Sequence, residues 1–539
     1  MRGADVLVHT LQSAGVQRLF TLSGNHIMPV FDAAFDAGVQ LIHTRHEAAA
    51  VHMADAWARL TGEVGVALVT GGPGHANALS ALYTASMAES PVLLLSGHAP
   101  LAQLGLGAFQ EMQQAEIARP LTKAAWTCQH VDALRDDLVK GWRTAISGRP
   151  GPVHISLPAD VLEATVAQPR DPPPREAFAG HRPSPAISDI TAIAKWLDGT
   201  QRPLILTGPL TLTRAGRARL YALEAHLGVP VIGMESPRGI ADPALGAFAQ
   251  VLANADGVLL LGKKLDFTLK FGRPPAFAAN CEVIHVDPDE DELSRSRRAV
   301  GSRLHAAIRA DTFAAIEAMM LAPSCKRDSR VHWLEDVRHA VAYRPPAWAS
   351  VAGSAGRLHP VQAMRPLQLI LDRHQESVLI SDGGEIGQWA QACLSAPHRV
   401  VNGTSGSIGS ALPFALAARL AHPEAPVIAV LGDGTFGFHC AEIDTAVRYR
   451  LPFVAVVGND ARWNAEYQIQ LRDYGADRMI GCELLPTRYE QVCVAFGGYG
   501  EHVTTADAML AATERALDSG LPACLNVMID GLPAPSIVR

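Results

Sequence analysis

Two aspartates, each closing an apolar, β-branched run, have the type and spacing to do chemistry together. Val427 to Leu431 stops at Gly432-Asp433-Gly434-Thr435, and an amphipathic stretch runs from about Glu442 to Tyr449. A second apolar run, Phe453 to Val457, stops at Gly458-Asn459-Asp460-Ala461-Arg462-Trp463. Two short apolar runs around a stretch of helical period read as a βαβ unit. In a parallel sheet the carboxyl ends of such strands open into a ligand crevice. The glycines let the backbone approach a bound group and offer it N–H donors. Two carboxylates converging there repel one another, and repel an anionic ligand more, unless a cation lies between them. A hard ion such as Mg²⁺ takes one or two carboxylates together with phosphate oxygens. The pair therefore points to Mg²⁺ bridging the protein to a diphosphate, with an ordinary βαβ turn carrying an acidic helix cap as the plain alternative.

Other candidates lie upstream. Thr44-Arg45-His46-Glu47-Ala48-Ala49-Ala50 leads from a short strand, Leu41 to Thr44, into a helix, Glu47 to Thr61. By itself that placement reads as a first-turn glutamate favoured by the helix dipole. Ser23-Gly24-Asn25-His26 follows the first strand, Arg18 to Leu22, and Ala108-Phe109-Gln110-Glu111 follows the fourth, Pro91 to Ser96. Gly71-Gly72-Pro73-Gly74 opens the helix from His75 to Met87, and Asn402 to Gly409 opens the helix from Ala411 to Leu420. Ser381-Asp382-Gly383-Gly384-Glu385 ends a strand. His46, His75, His98 and His439 read as structural.

The elements that position these residues fall into three blocks, 1–166, 187–321 and 358–539, each alternating strand and helix patterns. Such alternation means an α/β fold of three tandem doubly wound parallel sheets. Ala167 to Ala186, with Pro172-Pro173-Pro174, reads as an extended linker, and Ala322 to His359 as a second. Trp463 to Leu485 reads as a loop. In the central block Leu206 to Thr211 is a strand-end loop without a GxGxxG fingerprint, and Val286-Asp287-Pro288-Asp289 is a plain turn or, alternatively, an approach to a nucleotide ribose.

A length of 539 residues fits about three domains. With 48% hydrophobic and 18% charged residues the chain can bury large cores. A net charge of -7 gives no reason to expect nucleic acid or an anionic membrane as partner. The eight cysteines (128, 281, 325, 393, 440, 482, 493 and 524) form no C-x-x-C pair and read as reduced, buried thiols. No apolar run reaches membrane-spanning length and Met1-Arg2-Gly3-Ala4-Asp5 begins no signal peptide, so a soluble, cytoplasmic protein is expected.

Gly-Asp-Gly followed at this interval by Asn-Asp resembles the diphosphate motif of thiamine diphosphate (ThDP) enzymes. The three blocks are similar to the pyrimidine-binding, central and diphosphate-binding domains of the decarboxylase-type members. The resemblance implies ThDP and Mg²⁺ as cofactors, with Asp433, Asp460 and the carbonyl of Arg462 as metal ligands. Asp460 departs from the family, where asparagine is usual, and adds a negative charge. The resemblance also puts Gly432, Gly434, Thr435 and Trp463 at the diphosphate, and Gly384, Glu385 and Ser407 against the cofactor. Pro73 and Asn77 would surround the pyrimidine of the facing subunit, and Ile408 would lie under the bend that brings thiazolium C2 to the amino nitrogen. Glu47 would be the activating glutamate: bonded to N1′, it promotes the imino tautomer that removes the C2 proton, which requires a dry site and a raised pKa. His26 and Gln110 match a histidine and a glutamine lining the pocket of benzaldehyde lyase. The histidine would move the hydroxyl proton of the C2 adduct, and the glutamine would bond the substrate carbonyl.

Within the family the chain resembles the acetolactate-synthase-like group, which includes 2-hydroxyacyl-CoA lyases. True acetolactate synthases carry a flavin in the central domain, and no flavin signature stands out here. Acyl-CoA members often extend past the last strand, whereas this chain ends at Arg539. The resemblance therefore favours a flavin-free C–C lyase or carboligase acting on 2-hydroxy ketones or 2-oxo acids through a C2 carbanion/enamine adduct, as a homodimer or homotetramer. A 2-hydroxyacyl-CoA lyase releasing an aldehyde and formyl-CoA comes next. From other classes, a Rossmann-type dehydrogenase needs the missing GxGxxG, and a non-catalytic scaffold of this fold would have lost Glu47.

Overall fold

A computed structural model describes residues 1–168, 170–323 and 330–539, and in it each block folds around one parallel sheet. The first sheet holds β1 (Arg18–Thr21), β2 (Gln40–His43), β3 (Gly65–Val69), β4 (Val92–His98), β5 (Ala124–Thr127) and β6 (Val153–Pro158), in the order β2-β1-β3-β4-β6-β5. The central sheet holds β7 (Pro203–Thr207), β8 (Val231–Gly233), β9 (Gly257–Leu261), β10 (Glu282–Asp287) and β11 (Leu304–Arg309), in the order β11-β10-β9-β7-β8. The third holds β12 (Val378–Ser381), β13 (His398–Val401), β14 (Val427–Gly432), β15 (Val454–Asn459), β16 (Tyr499–Val503) and β17 (Ala523–Met528), in the order β13-β12-β14-β15-β17-β16. First and third sheets thus share one topology. Their inner strands are covered on both faces by helices, so they read as unbroken apolar runs. Four strands that the sequence pattern did not mark, β5, β11, β13 and β16, are all sheet edges. Edge strands meet water on one side and mix polar with apolar residues, which hides the pattern.

The first and third blocks share a single core. The helix Glu47–Thr61 follows the second strand of its sheet, the helix Ala411–Ala421 follows the second strand of the other, and the two pack on each other. Alanines make this close approach possible: Ala48, Ala49, Ala50 and Ala54 face a helix containing Ala411, Ala415, Ala417 and Ala418, all buried. Arg59 seals one side, its guanidinium 5.2 Å from the Phe414 ring centre and donating to the Val401 carbonyl at 2.6 Å. The edge of the His52 ring meets Phe414 at 5.7 Å.

The central block is tied to the others by ion pairs, most of them buried. Arg149 of the first block pairs with Glu89 and Asp287 and donates to the Gly262 carbonyl at the end of β9. Asp287 also accepts the Asp289 N–H, so the segment is a plain turn clamped by an arginine, and its carboxylate is already committed. Arg399 pairs with Glu235, and Arg238 with Glu385.

Three connections differ from expectation. The second linker contains a helix, Val331–Ala342, whose Trp333, Val337 and Ala340 join the core around Phe248 and Phe277, with Trp333 Nε1 donating to the Pro203 carbonyl at 2.8 Å. Its flanking prolines masked it; Cys325 and the rest of 324–329 lie outside the described residues. The first linker is extended except for a turn, Arg175–Phe178, that buries Phe178 against Trp142. The stretch read as a loop from Trp463 to Leu485 carries a helix, Asn464–Tyr474, in which only Asn464 is buried, so no apolar period announces it. Among the described residues every cysteine is free, and no helix is long and apolar enough to cross a membrane.

Trp333→Ala should destabilise the protein by about 3–5 kcal/mol, read as a shift in denaturant midpoint, because it leaves a cavity and an unpaired carbonyl.

Candidate active site

In the third sheet, β12 and β14 are neighbours whose chains leave in opposite directions, and the crevice between their carboxyl ends is where the motif lies. Gly384, Glu385, Ile408, Gly432, Asp433, Gly434, Thr435, Asp460, Arg462 and Trp463 all line it. Gly432 and Gly458 are paired in register, which places Asp433 and Asp460 just beyond adjacent strand ends. Asp433 starts a short helix, Asp433–His439, and is 2% exposed; Asp460 is 8% exposed. Burial pushes Asp433 up to about 6, opposed by backbone N–H groups of Gly434, Ala461 and Arg462. Burial, and then the charge of Asp433, push Asp460 up to about 7.

The loop behind Asp460 is built to aim backbone at this pair. Asn459 is fully buried, donating to Thr487 and Asn526 and accepting the Ala461 N–H at 3.2 Å, so its side chain points away from the crevice. Ala461 adopts φ +59°, a left-handed conformation that costs a non-glycine residue about 1–3 kcal/mol. Arg462 and Glu483 then form a bridge in which the hydrogen bonds come from their neighbours, Leu484 N–H to Ala461 and Trp463 N–H to Cys482. The Arg462 carbonyl takes no part in that pairing. The Trp463 ring lies over Gly434, where a Cβ would stand 2.6 Å from it, so only glycine fits there. Ile408 enters through a segment held by Asp382, which accepts from the Gly409 and Ala411 N–H groups and the Ser410 hydroxyl, while its neighbour Ser407 is not among the residues lining the crevice. Asn402 holds the Ser407 carbonyl at 2.8 Å. Glu385 turns its carboxylate to Arg238, leaving backbone to face the crevice.

The first sheet has the same switch point between β1 and β3, and a second cup forms there. Glu47, 8% exposed, accepts from the Asn77 amide at 3.0 Å. A Cβ on Gly74 would stand 3.3 Å from Glu47 Oε1 and 2.7 Å from Thr70, and Thr70 Oγ1 lies 3.3 Å from His26 Nδ1. His26 is a buried residue, 4% exposed, in contrast to a surface histidine after a turn. Burial lowers its pKa, against a hydrogen bond with the Phe109 backbone, so the ring is neutral at pH 7. The Phe109 ring stacks on it at 6.1 Å. Gln110, at φ +57°, packs on Gly72, at φ +59°, where a Cβ would lie 2.8 Å from that of Gln110. Pro73 begins the helix that carries Asn77. Glu47, His26, Gln110, Pro73 and Asn77 are thus brought together, and all come from the first block.

The two groups are not brought together with each other: only third-block residues line the crevice at Asp433. One link between them is His46, whose ring meets that of His439 at 5.7 Å, while His439 Nδ1 bonds the Gly409 carbonyl at 2.7 Å. Three positioning residues escaped the sequence reading. Gln114 Oε1 accepts the Gly72 N–H at 2.8 Å, and the same amide donates to the Gly97 carbonyl at 3.0 Å. Glu442 accepts the Arg45 N–H beside Glu47 at 3.0 Å. Asp382 supports the Ile408 segment. Only Asp382, an acid before two glycines at a strand end, left a signal.

Three family models match the chain in sequence order: thiamine pyrophosphate enzyme, N-terminal TPP binding domain over 1–117, central domain over 190–316, and C-terminal TPP binding domain over 382–527. A probable acetolactate synthase of Mycobacterium bovis is 31% identical over 541 residues, 98% of this chain and 96% of that one. The chain belongs to the thiamine pyrophosphate enzymes. A 2-hydroxyacyl-CoA lyase 2 of Homo sapiens is 29% identical over 584 residues, covering 98% of this chain and 90% of that one, and its Bos taurus counterpart is 31% identical with the same coverage. The ThDP-binding domains of this enzyme are therefore its first and third blocks, the two that carry the cups.

The crevice fits a metal diphosphate. Asp433 Oδ2 is buried and has no hydrogen-bond partner among the described residues. Two carboxylates and an uncommitted carbonyl are an oxygen donor set suited to a hard divalent ion. A carboxyl whose folded pKa is raised above 3.8 stabilises the fold fully only below about pH 4, and loses that contribution as pH rises through its folded value. Asp460→Asn should therefore stabilise the metal-free enzyme at pH 8, by up to about 4 kcal/mol. In the same variant, Mg²⁺ and ThDP retention should lose the pH-dependent step near 7 expected of the parent. Calorimetric melting of metal-free protein and equilibrium dialysis across pH 5 to 8 check both.

Proposed function

We propose that the protein is a ThDP- and Mg²⁺-dependent carbon–carbon lyase or carboligase acting on 2-hydroxy ketones or 2-oxo acids. The observation carrying this reading is the first-block cup, where a buried carboxyl, a buried neutral imidazole and an amide converge. Asp433, Asp460 and the Arg462 carbonyl would hold Mg²⁺ and, with Thr435 and the Gly434 backbone, the diphosphate; Glu47 would face the pyrimidine. When bound, ThDP supplies a carbon nucleophile that can hold the electron pair released as a bond beside a carbonyl breaks. Asn77 orients the Glu47 carboxyl, and the apolar wall of Ala48, Ala49, Ala50 and Val51 keeps water from it. His26, fixed by Thr70 and shielded by Phe109, accepts or returns a hydroxyl proton at its ring as an aldehyde leaves or adds. Gln110 donates its amide to the substrate carbonyl.

Because Glu47 and Asp433 belong to separate cups, one complete site needs two chains, and the enzyme works as a homodimer or a dimer of dimers. The helix beginning at Pro73 supports this. Its exposed face, Pro73, Ala76, Asn77, Ser80 and Tyr83, runs at helical spacing without a single charge. Exposed Leu104, Leu106 and Phe109 lie on the neighbouring loop. Arg149 at the ends of β9 and β10 favours a central block without flavin.

The names of the lyase relatives support a second reading, cleavage of 2-hydroxyacyl-CoA thioesters to an aldehyde and formyl-CoA. Aldehyde release, CO₂ release and carboligation product from a panel of acyloins, 2-oxo acids and 2-hydroxyacyl-CoAs separate the two. Turnover of the thioesters alone favours the second, and no aldehyde, CO₂ or carboligation product from any substrate contradicts both.

Glu47→Gln should still bind ThDP but slow hydrogen–deuterium exchange at its thiazolium C2 by ~10²–10⁴-fold, followed by NMR. His26→Ala should bind ThDP with the affinity of the parent while losing aldehyde release or acyloin formation; unchanged turnover on every substrate would make His26 structural.

A further inference from the structure

At the amino-terminal end of the third sheet, away from the crevice, three side chains converge from three connections. Glu376 precedes β12, His398 opens β13, and His422 caps the helix Ala411–Ala421 before β14. Donor atoms of the three all lie within 4.8 Å of one another. His398 Nε2 stands 2.8 Å from Glu376 Oε2, and the two imidazole rings are 3.9 Å apart, tilted by 41°. His422 Nε2 is buried and has no hydrogen-bond partner among the described residues. A buried polar nitrogen left unpaired costs about 1–3 kcal/mol, so this orphan, on a ring packed close to a second imidazole, calls for a ligand.

We propose that Glu376, His398 and His422 form a site for a divalent transition metal, with Zn²⁺ the best match. Two imidazole nitrogens and one carboxylate oxygen are a donor set Zn²⁺ favours, and Co²⁺ and Ni²⁺ tolerate it. Glu376 is 43% exposed, which leaves room for water as a fourth ligand. The ion would replace the hydrogen between His398 Nε2 and Glu376 Oε2, the ring proton passing to Nδ1. Burial and the nearby arginines push His398 down to about 4, and burial, His398 and Arg214 do the same for His422, so both rings are neutral at pH 7. The positive charge of Arg214 and Arg217 opposes a cation here. Arg214, however, is engaged with the other Glu376 oxygen and so orients the ligand, while Arg217 is spent on the Ala396 and Pro397 carbonyls, each at 3.4 Å. Both arginines belong to the central-block helix Arg214–Leu227. An ion here would therefore tie the third sheet to the central block and act on stability, leaving the reaction untouched.

The test uses enzyme holding ThDP and Mg²⁺, freed of transition metals on a chelating resin and titrated with Co²⁺, then Zn²⁺. One Co²⁺ per chain should bind with a visible d–d band, Zn²⁺ should displace it, and the melting temperature should rise at unchanged turnover. His422→Asn and Glu376→Gln, both at partly exposed positions, should weaken Co²⁺ by about 10–100-fold while keeping activity. Asp433→Asn should keep the band. No saturable binding to the parent overturns the proposal. So does undiminished binding in whichever of the two ligand variants folds, or a band lost only in Asp433→Asn, which would place the ion in the crevice.

Discussion

Two carboxylates buried side by side at adjacent strand ends set the terms for the rest of this structure. Asp433 and Asp460 each carry a folded pKa well above 3.8, because burial strips water from both and the charge of Asp433 further opposes ionisation of Asp460. Such a pair is a standing cost unless a cation joins it. The surroundings show that the cost is maintained rather than relieved: Ala461 keeps its left-handed backbone, Asn459 is locked beneath, and Trp463 closes over a position only glycine can fill. A rigid frame that keeps strain and two close carboxylates in place is one suited to hold a cation between them.

The frame is a repeated sheet. First and third blocks have the same strand order, and each opens a cup at the same switch point. One cup supplies negative charge, the other a proton-handling trio of Glu47, His26 and Gln110. The repeats face each other within the chain through the helices Glu47–Thr61 and Ala411–Ala421, so every ångström of that alanine-rich packing fixes where Glu47 and Ile408 stand. The His46–His439 contact ties the two cups of one chain together, and Glu442 reaches from the third block to brace the backbone beside Glu47.

The central parts of this arrangement were legible in the sequence. Buried strands such as β7 and β14 announce themselves as apolar runs, and the helix at Glu47 was bounded at both ends by its alanine pattern. Acids at strand ends between glycines marked the crevice. Four of the six edge strands were not legible, because polar and partly exposed residues interrupt their apolar pattern. The helix Asn464–Tyr474 was hidden because it buries only its first residue, and Val331–Ala342 because prolines frame it. Gln114 and Glu442 act through contacts far along the chain, 42 and 397 residues away, and no local pattern encodes such a reach.

The most direct test of a site shared between two chains is complementation. Inactive Glu47→Ala and inactive Asp433→Ala proteins are mixed in equal amounts under conditions of subunit exchange, with mixed dimers counted by mass spectrometry. Each mixed dimer holds one intact site and one doubly defective site, so about a quarter of parental activity should return. Verified exchange with no recovered activity would contradict the pairing of Glu47 with Asp433 across chains.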